Sequence, residues 1–114
     1  PVDTEHEWQA THNARLLCEP LLDPRSTQYP DWAINVMFYR AVHIIDKALA
    51  CRGVIDVRNH EHRKKSIARH LRGCLGYFQA FEELSRKTRY EVMRPTRTDV
   101  EDALQLLSNI ERGA

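Results

Sequence analysis

The amino-acid sequence predicts an all-helical domain, and three observations lead to this prediction. Apolar residues recur at steps of three and four in five separate segments, as on one face of a helix. Capping residues precede several of these segments, and glycine or proline follows them. No segment alternates between apolar and polar residues as a half-buried strand does. We therefore expect an antiparallel bundle of four to five helices with short connections.

The first helix is predicted from the stretch TEHE, in which Thr4 and Glu7 match the capping-box pattern. The helix is expected to run to about Leu17, before a proline-rich segment. Trp8 and either Leu16 or Leu17 are expected to face the core.

The second helix is the longest and most apolar of the five. It follows residues 19–30, which contain three prolines and are predicted to form a loop that lays Leu21 and Leu22 on the core. Asp31 is the expected N-cap and Gly53 the expected stop. The apolar residues of the segment are Trp32, Ala33, Val36, Met37, Tyr39, Ala41, Val42, Ile44, Ile45, Ala48 and Leu49. Such a helix is expected at the centre of the bundle or in contact with a second subunit.

The third helix is predicted to start after the N-cap Asn59, with Ile67 and Leu71 as a narrow apolar stripe. Gly73 or Gly76 is expected to break the chain before the fourth helix.

The last two helices have clean apolar stripes. The fourth carries Leu75, Phe78, Phe81 and Leu84, and Tyr90 is expected to pack as its last apolar residue. For the fifth, Thr98 and Glu101 match a capping box and Gly113 is the expected end. The stripe of the fifth helix consists of Val100, Ala103, Leu104, Leu107 and Ile110.

Length and composition indicate one globular domain spanning residues 1–114. The apolar fraction is 42% and the charged fraction 29%, and no apolar run approaches the roughly 20 residues of a membrane span. The N-terminal residues do not resemble a targeting peptide, so we expect a cytoplasmic protein. Cys18, Cys51 and Cys74 lie in apolar patterns without CxxC spacing, which predicts small core residues rather than disulfides or zinc ligands.

The charges are distributed unevenly along the chain. Residues 52–97 contain 12 Lys and Arg against 5 Asp and Glu, a net charge of +7, whereas the rest of the chain contains 5 against 11, a net of −6. The basic run HRKKSIARHLR could be a solvated helix face or a surface that contacts phosphates.

With these helices assigned, the order of motifs resembles the bacterial HEPN-like domains. The stretch FYRAVHIIDKALACRG, the following His60 and the stretch LSRKTRY carry the resemblance, which covers residues 32–112. The resemblance implies a small helical bundle that commonly dimerises. Some members of the family are metal-independent ribonucleases with an Arg, four to six residues, and a His paired across the dimer. Others are binding partners in toxin–antitoxin, defence or regulatory systems.

The position equivalent to the ribonuclease motif holds Arg86, followed by Arg89 and Tyr90, without a histidine. Metal-free RNA cleavage needs a base, an acid and a cation. Either arginine could supply the cation, but a tyrosine with a pKa near 10 is a poor general base at neutral pH. These residues predict a binding or regulatory module without catalytic activity.

The alternative is a metal-independent ribonuclease. Its cation would be Arg86 or Arg63, and its acid or base His43 or His70. Arg63 and His70 are separated by six residues, so they satisfy the bare spacing within the third helix. A third possibility is a structural partner that oligomerises through its apolar second helix.

The expected partners are a second copy of the chain and an RNA, nucleotide or protein ligand, without a membrane. Neither a cofactor nor a metal is expected, because His60 and His62, two apart on a helix, point to different sides and are interpreted as solvated residues. The candidate binding residues are Arg86, Arg89, Tyr90, His43, Tyr39, Lys64 and Lys65.

Overall fold

The computed structural model describes residues 2–19, 21–90 and 94–114, with side chains described from residue 4 onward. Within these ranges it contains helices and no strand, which confirms the predicted all-helical class. The five helices are α1 (Val2–Leu16), α2 (Pro30–Cys51), α3 (His60–His70), α4 (Leu75–Tyr90) and α5 (Arg97–Gly113), and a short 3-10 helix (Arg72–Cys74) joins α3 to α4. No helix in these ranges is long and apolar enough to cross a bilayer.

Helix α2 lies at the centre of the bundle, as its apolar circumference predicts, and contacts each of the other four α-helices. Its buried apolar residues are Ala33, Ile34, Met37, Phe38, Ala41, Val42, Ile45, Ala48 and Leu49. The other helices cover it with Ile67 from α3, Phe78 and Phe81 from α4, and Val100, Ala103, Leu107 and Ile110 from α5. The predicted stripes of α4 and α5 are therefore in the core, with Leu75, Leu84 and Leu104 at its edge.

The start of α2 differs from the prediction by two residues. Tyr29 is the N-cap and Pro30 the first helical residue, so Asp31 lies in the first turn and is not the cap. Proline suits this position because its φ is already helical and it lacks an N–H that would be left unpaired there. The predicted stop is confirmed, because Gly53 follows the C-cap Arg52 with a φ of +89°.

Helix α1 begins at Val2, so Thr4 is inside the helix and the predicted capping box with Glu7 is wrong. Leu17 is buried as expected, but Trp8 is 64% exposed and stacks on His12 on the outer side. The buried residues on the inward side are Asn13 of α1 and Leu17, four positions later and just after the helix, and Trp8 does not share this stripe.

The loop between α1 and α2 is present as predicted, but its contact with the bundle uses different residues. Leu21 is 63% exposed, which contradicts its expected place on the core. Instead, Arg97 of α5 donates hydrogen bonds to the backbone oxygens of Pro24 and Arg25, and the ring of Pro24 is buried. A backbone contact of this kind has no signature in the apolar pattern.

Three further predictions about single residues have mixed outcomes. Cys74 is buried as expected, whereas Cys18 and Cys51 are exposed, so the prediction of core cysteines is wrong for these two. Tyr90 is 75% exposed and does not pack in the bundle. The chain breaks before α4 at the 3-10 helix that contains Gly73, as predicted.

The N-caps of α3 and α5 can be compared with the prediction directly. Asn59 caps α3 as expected, and its side chain accepts a hydrogen bond from the backbone N–H of His62 at 2.8 Å. Helix α5 has a capping box, but it is formed by Thr96 and Asp99 rather than by Thr98 and Glu101.

We expect Thr96→Ala to lower the free energy of unfolding by about 1 kcal/mol, because the cap of α5 loses its side-chain acceptor. Thr98→Ala is the matched control and should change it by less than about 0.5 kcal/mol, since the exposed Thr98 makes no cap. Urea unfolding followed by circular dichroism measures both values. Equal losses in the two variants would contradict the assignment of the cap.

Candidate functional site

The candidate site is a group of polar side chains where α2, α3 and α4 meet, here called the α2–α3–α4 cluster. Its members are Tyr39, His43 and Asp46 from α2, His60, Arg63 and Lys64 from α3, and Glu82 and Arg89 from α4. Within each helix these positions are three, four or seven residues apart, except that Arg63 and Lys64 are adjacent, so one side of each helix presents them together.

The centre of the cluster is a buried ion pair between α2 and α3. The Nε and Nη2 atoms of Arg63 donate to the two carboxylate oxygens of Asp46 at 2.7 and 2.9 Å. The two side chains are only 11% and 4% exposed. This bidentate geometry satisfies both charges within the protein, so Arg63 is a structural cation here.

The third guanidinium nitrogen of Arg63 determines the tautomer and the protonation of His60. Nη1 of Arg63 lies 2.7 Å from Nδ1 of His60. A guanidinium can only donate, so Nδ1 is the acceptor and a neutral His60 carries its hydrogen on Nε2. Burial, followed by the charge of Arg63, lowers the pKa of His60, while Glu82 acts in the opposite direction. At neutral pH His60 therefore offers a hydrogen-bond donor rather than a base.

Lys64 is the second cation of α3 in the cluster, and it is also paired. Its Nζ lies 2.8 Å from a carboxylate oxygen of Glu61 and 3.2 Å from one of Glu82. The hydrogen bonds that Lys64 donates to Glu61 and then to Glu82 raise its pKa. Lys64 is thus positively charged, and the two carboxylates largely neutralise that charge.

Arg89 differs from these two cations. Its Nη1 donates to the hydroxyl of Tyr39 at 3.0 Å, and its Cζ lies 6.0, 5.9 and 5.2 Å from the ring centres of Phe38, Tyr39 and Tyr90. Its Nε is buried and has no hydrogen-bond partner in the described part of the chain. No carboxylate there forms an ion pair with Arg89.

Two sets of contacts under Arg89 hold α2 against α4. Phe38 packs against Phe78 and Phe81, with ring centres 5.8 and 5.5 Å apart. One turn earlier on α2, the side-chain oxygen of Asn35 accepts hydrogen bonds from the hydroxyl of Ser85 at 2.6 Å and from that of Thr88 at 3.1 Å. These contacts place Arg89 above Tyr39.

At its other end the cluster meets α1 through a pair of histidines. Nδ1 of His43 lies 2.8 Å from Nδ1 of His6, and the ring centres are 5.0 Å apart. Burial and then the neighbouring His6 lower the pKa of His43, Asp46 raises it, and Arg63 lowers it.

The structure brings some of the predicted site residues together. Tyr39, Arg89 and Tyr90 are in contact, and His43 lies one turn after Tyr39 on α2. Lys64 lies beside Glu82 at the edge of the same cluster. These residues were candidates on separate grounds, and their proximity is a result of the fold.

Other predicted residues lie apart from the cluster. Arg86 is exposed and bound to Glu83 of its own helix at 2.7 and 3.0 Å. His70 is exposed at the end of α3, whereas Arg63 is buried, so their seven-residue spacing does not give a shared site. Lys65 is also exposed and lines a separate surface cavity with His62.

Sequence reasoning missed several members of the cluster. His60 was interpreted as solvated, although it contacts Arg63 and the ring of Phe38. Glu82 was not a candidate, and neither were His6 and Ser85, which lie next to the cluster. A signal was available for Ser85, because it continues the buried stripe of Phe78 and Phe81 as a polar residue.

Neither a metal site in the described residues nor a known relative indicates what the cluster does. In residues 2–19, 21–90 and 94–114, no group of three or more His, Cys, Asp and Glu side chains is placed to hold a metal ion. No protein-family profile, curated protein or solved structure matches the chain. The geometry of the cluster is therefore what indicates a function for the chain.

Proposed function

We propose that the chain is a HEPN-like binding module without catalytic activity, and that its α2–α3–α4 cluster binds phosphate groups of single-stranded RNA. The observation that carries the proposal is the state of Arg89. Within the described residues this cation has aromatic neighbours and no carboxylate, whereas Arg63 and Lys64 are paired with carboxylates.

The donors around Arg89 suit an anion. The guanidinium has further N–H groups beyond the one bound to Tyr39, and planar guanidinium groups bind phosphate oxygens in a bidentate manner. The hydroxyl of Tyr39 accepts from Arg89, so its own hydrogen is available to a ligand. The Nε2–H group of His60 adds an uncharged hydrogen-bond donor near the guanidinium of Arg89.

The aromatic residues around Arg89 favour a nucleic acid over a free inorganic anion. Tyr90 is 75% exposed and Tyr39 is 42% exposed, and both are in contact with the guanidinium. Exposed rings beside a cation provide stacking surfaces for unpaired bases while the cation contacts the backbone. The surplus positive charge of residues 52–97 is consistent with this ligand.

Binding without cleavage is favoured because the described residues do not place a free base beside Arg89. The acceptor nitrogen of His60 is occupied by Arg63, and His43 and His6 contact each other at the α1 end of the cluster. Arg86 is bound to Glu83 rather than placed beside a histidine. A metal-independent ribonuclease remains the alternative outcome of the experiment below.

The proposal includes the homodimer that the resemblance implies. Most apolar residues of α2 are in the core of the chain itself. A second copy bound through α2 would therefore contact its exposed aromatic residues, of which Trp32, at 62% exposed, is the largest. A protein partner in a toxin–antitoxin or defence system is part of the same proposal.

We expect Arg89→Gln to weaken the binding of a fluorescein-labelled single-stranded RNA by about tenfold or more, since hydrogen bonds to charged groups contribute about 1.5–3 kcal/mol. Fluorescence anisotropy titration measures the dissociation constant. Affinity should fall as salt rises, with a slope that becomes shallower in the variant because one cation contact is lost.

Lys87→Gln is the matched control. It removes one cation from the same last turn of α4, but Lys87 faces Asp99 and Asp102 of α5 on the other side of the helix. Its effect on affinity should stay within about twofold. Equal losses in both variants would indicate a general charge effect and contradict the site.

Incubation of the RNA with the protein in EDTA tests the alternative. Degradation of the RNA that is abolished by Arg86→Ala or by His43→Ala would establish the metal-independent ribonuclease instead.

A further inference from the structure

The contact between His6 and His43 joins α1 to α2 near the start of α1. The two Nδ1 atoms are 2.8 Å apart, which is hydrogen-bonding distance, and both rings are partly buried. Because both atoms belong to titratable rings, the contact depends on how many protons the pair carries.

Helix α1 depends on such contacts with α2. In the described part of the chain, α2 is the helix whose backbone approaches that of α1. Near its start α1 is held by the His6–His43 contact and by an ion pair between Glu7 and Lys47 at 3.2 Å. The buried apolar anchor, Leu17, follows the other end. A 15-residue helix is marginally stable alone in water, so α1 requires docking to remain helical.

The geometry limits the number of protons at this contact. Two facing nitrogens 2.8 Å apart can share one hydrogen, but two N–H groups cannot point at each other at this distance. The docked pair therefore leaves at least one of the facing nitrogens without a proton. Once α1 is released, both rings can be protonated on mild acidification, since a free imidazole titrates near pH 6.5.

The surroundings of His43 do not compensate for a second proton. Asp46 lies one turn later on α2 and attracts a proton on His43, but its two oxygens are bound by Arg63 of α3. On α1, His6 is flanked in sequence by Glu5, which is exposed, and by Glu7, which is paired with Lys47. Burial and the ring of His6 lower the pKa of His43, in agreement with this geometry.

We propose that the His6–His43 contact is a pH-dependent clasp, which holds the start of α1 on α2 at neutral pH and releases it on mild acidification. Docking is strongest above about pH 6.5, where both released rings are neutral. It weakens below that value, because the released form binds more protons than the docked form.

Hydrogen–deuterium exchange of the full chain, read by mass spectrometry, tests this clasp. Exchange rates in α1 are divided by the intrinsic chemical rate at each pH, which gives a protection factor. We expect the protection of α1 to fall by about tenfold or more between pH of about 7.5 and 5.5, whereas α5 should change little. This range lies above the ordinary pKa of carboxylates, so the Glu7–Lys47 pair remains.

His6→Asn identifies the group responsible. An asparagine amide can donate to a neutral His43 or accept from a protonated one, so this variant should keep α1 docked and lose most of its pH dependence. His12→Asn is the matched control on the exposed side of α1 and should retain the wild-type dependence. The proposal is overturned if the protection of wild-type α1 does not change with pH, or if His6→Asn retains the full change.

Discussion

Replacement of Asp46 by Ala is expected to lower the free energy of unfolding by about 3–5 kcal/mol. The substitution leaves the buried guanidinium of Arg63 without the two oxygens that accept from it at 2.7 and 2.9 Å. A single domain has a total stability of about 5–15 kcal/mol, so the variant should lose a large fraction of it. Urea unfolding followed by circular dichroism measures the change.

The double variant Asp46→Leu with Arg63→Met provides the control. Replacing both members of a buried ion pair by apolar residues of similar volume is often neutral, whereas removing one member leaves an unpaired charge. We therefore expect the double variant to be more stable than Asp46→Ala by at least about 2 kcal/mol. A loss below about 1 kcal/mol in Asp46→Ala would mean that water or another residue accommodates Arg63, contrary to its burial.

Replacement of Phe38 by Ala is the second substitution with a large expected effect, again about 3–5 kcal/mol of unfolding free energy. Phe38 is fully buried and its ring contacts those of Phe78, Phe81 and His60. Its removal opens a cavity between α2, α3 and α4, directly below Arg89. Denaturant unfolding at low temperature gives the loss.

Phe38→Leu is the control for the cavity, since it keeps an apolar side chain and should cost less than half as much. In the folded fraction, Phe38→Ala should also weaken RNA binding, because Arg89 loses one of the three rings around it. A stable Phe38→Ala variant, within about 1 kcal/mol of the wild type, would contradict the packing of the core.

The helices could be predicted from sequence because each one buries a stripe of apolar residues. The apolar stripe of α5 and the nearly continuous apolar surface of α2 each consist of many residues, so one atypical residue does not change the prediction of a helix. The same reasoning misplaced Trp8, which is large and apolar but exposed. Residue type alone does not show which side of a helix faces its neighbours.

Helix starts were harder to predict because several sequences satisfy one capping pattern. Thr96 and Asp99 have the same spacing as Thr98 and Glu101, and the earlier pair is the one that caps α5. Helix α2 starts at Pro30, one residue before Asp31, because the fixed φ of proline is already helical. Asn59 was predicted correctly because its immediate neighbours, Arg58 and His60, are not preferred N-cap residues.

The candidate site could be predicted only in part, because its main contacts join residues far apart in the chain. Arg63 and Asp46 are 17 positions apart, and Arg89 and Tyr39 are 50 apart. The basic and aromatic character of Arg89 and Tyr90 indicated binding. It did not show that Arg63 and Lys64 are paired with carboxylates while Arg89 is not, because that difference results from the packing of α3 against α2 and α4.

The buried amide of Asn35 has a consequence for the alignment of α2 with α4. An apolar seam tolerates sliding by one helical turn, since one methyl group replaces another at little cost. A slide here would separate the Asn35 oxygen from the hydroxyl of Ser85 and leave these two buried groups unpaired, whereas Thr88 would keep its hydrogen bond to the backbone oxygen of Ser85. The side chain of Asn35 thus fixes the axial register of α2 against α4.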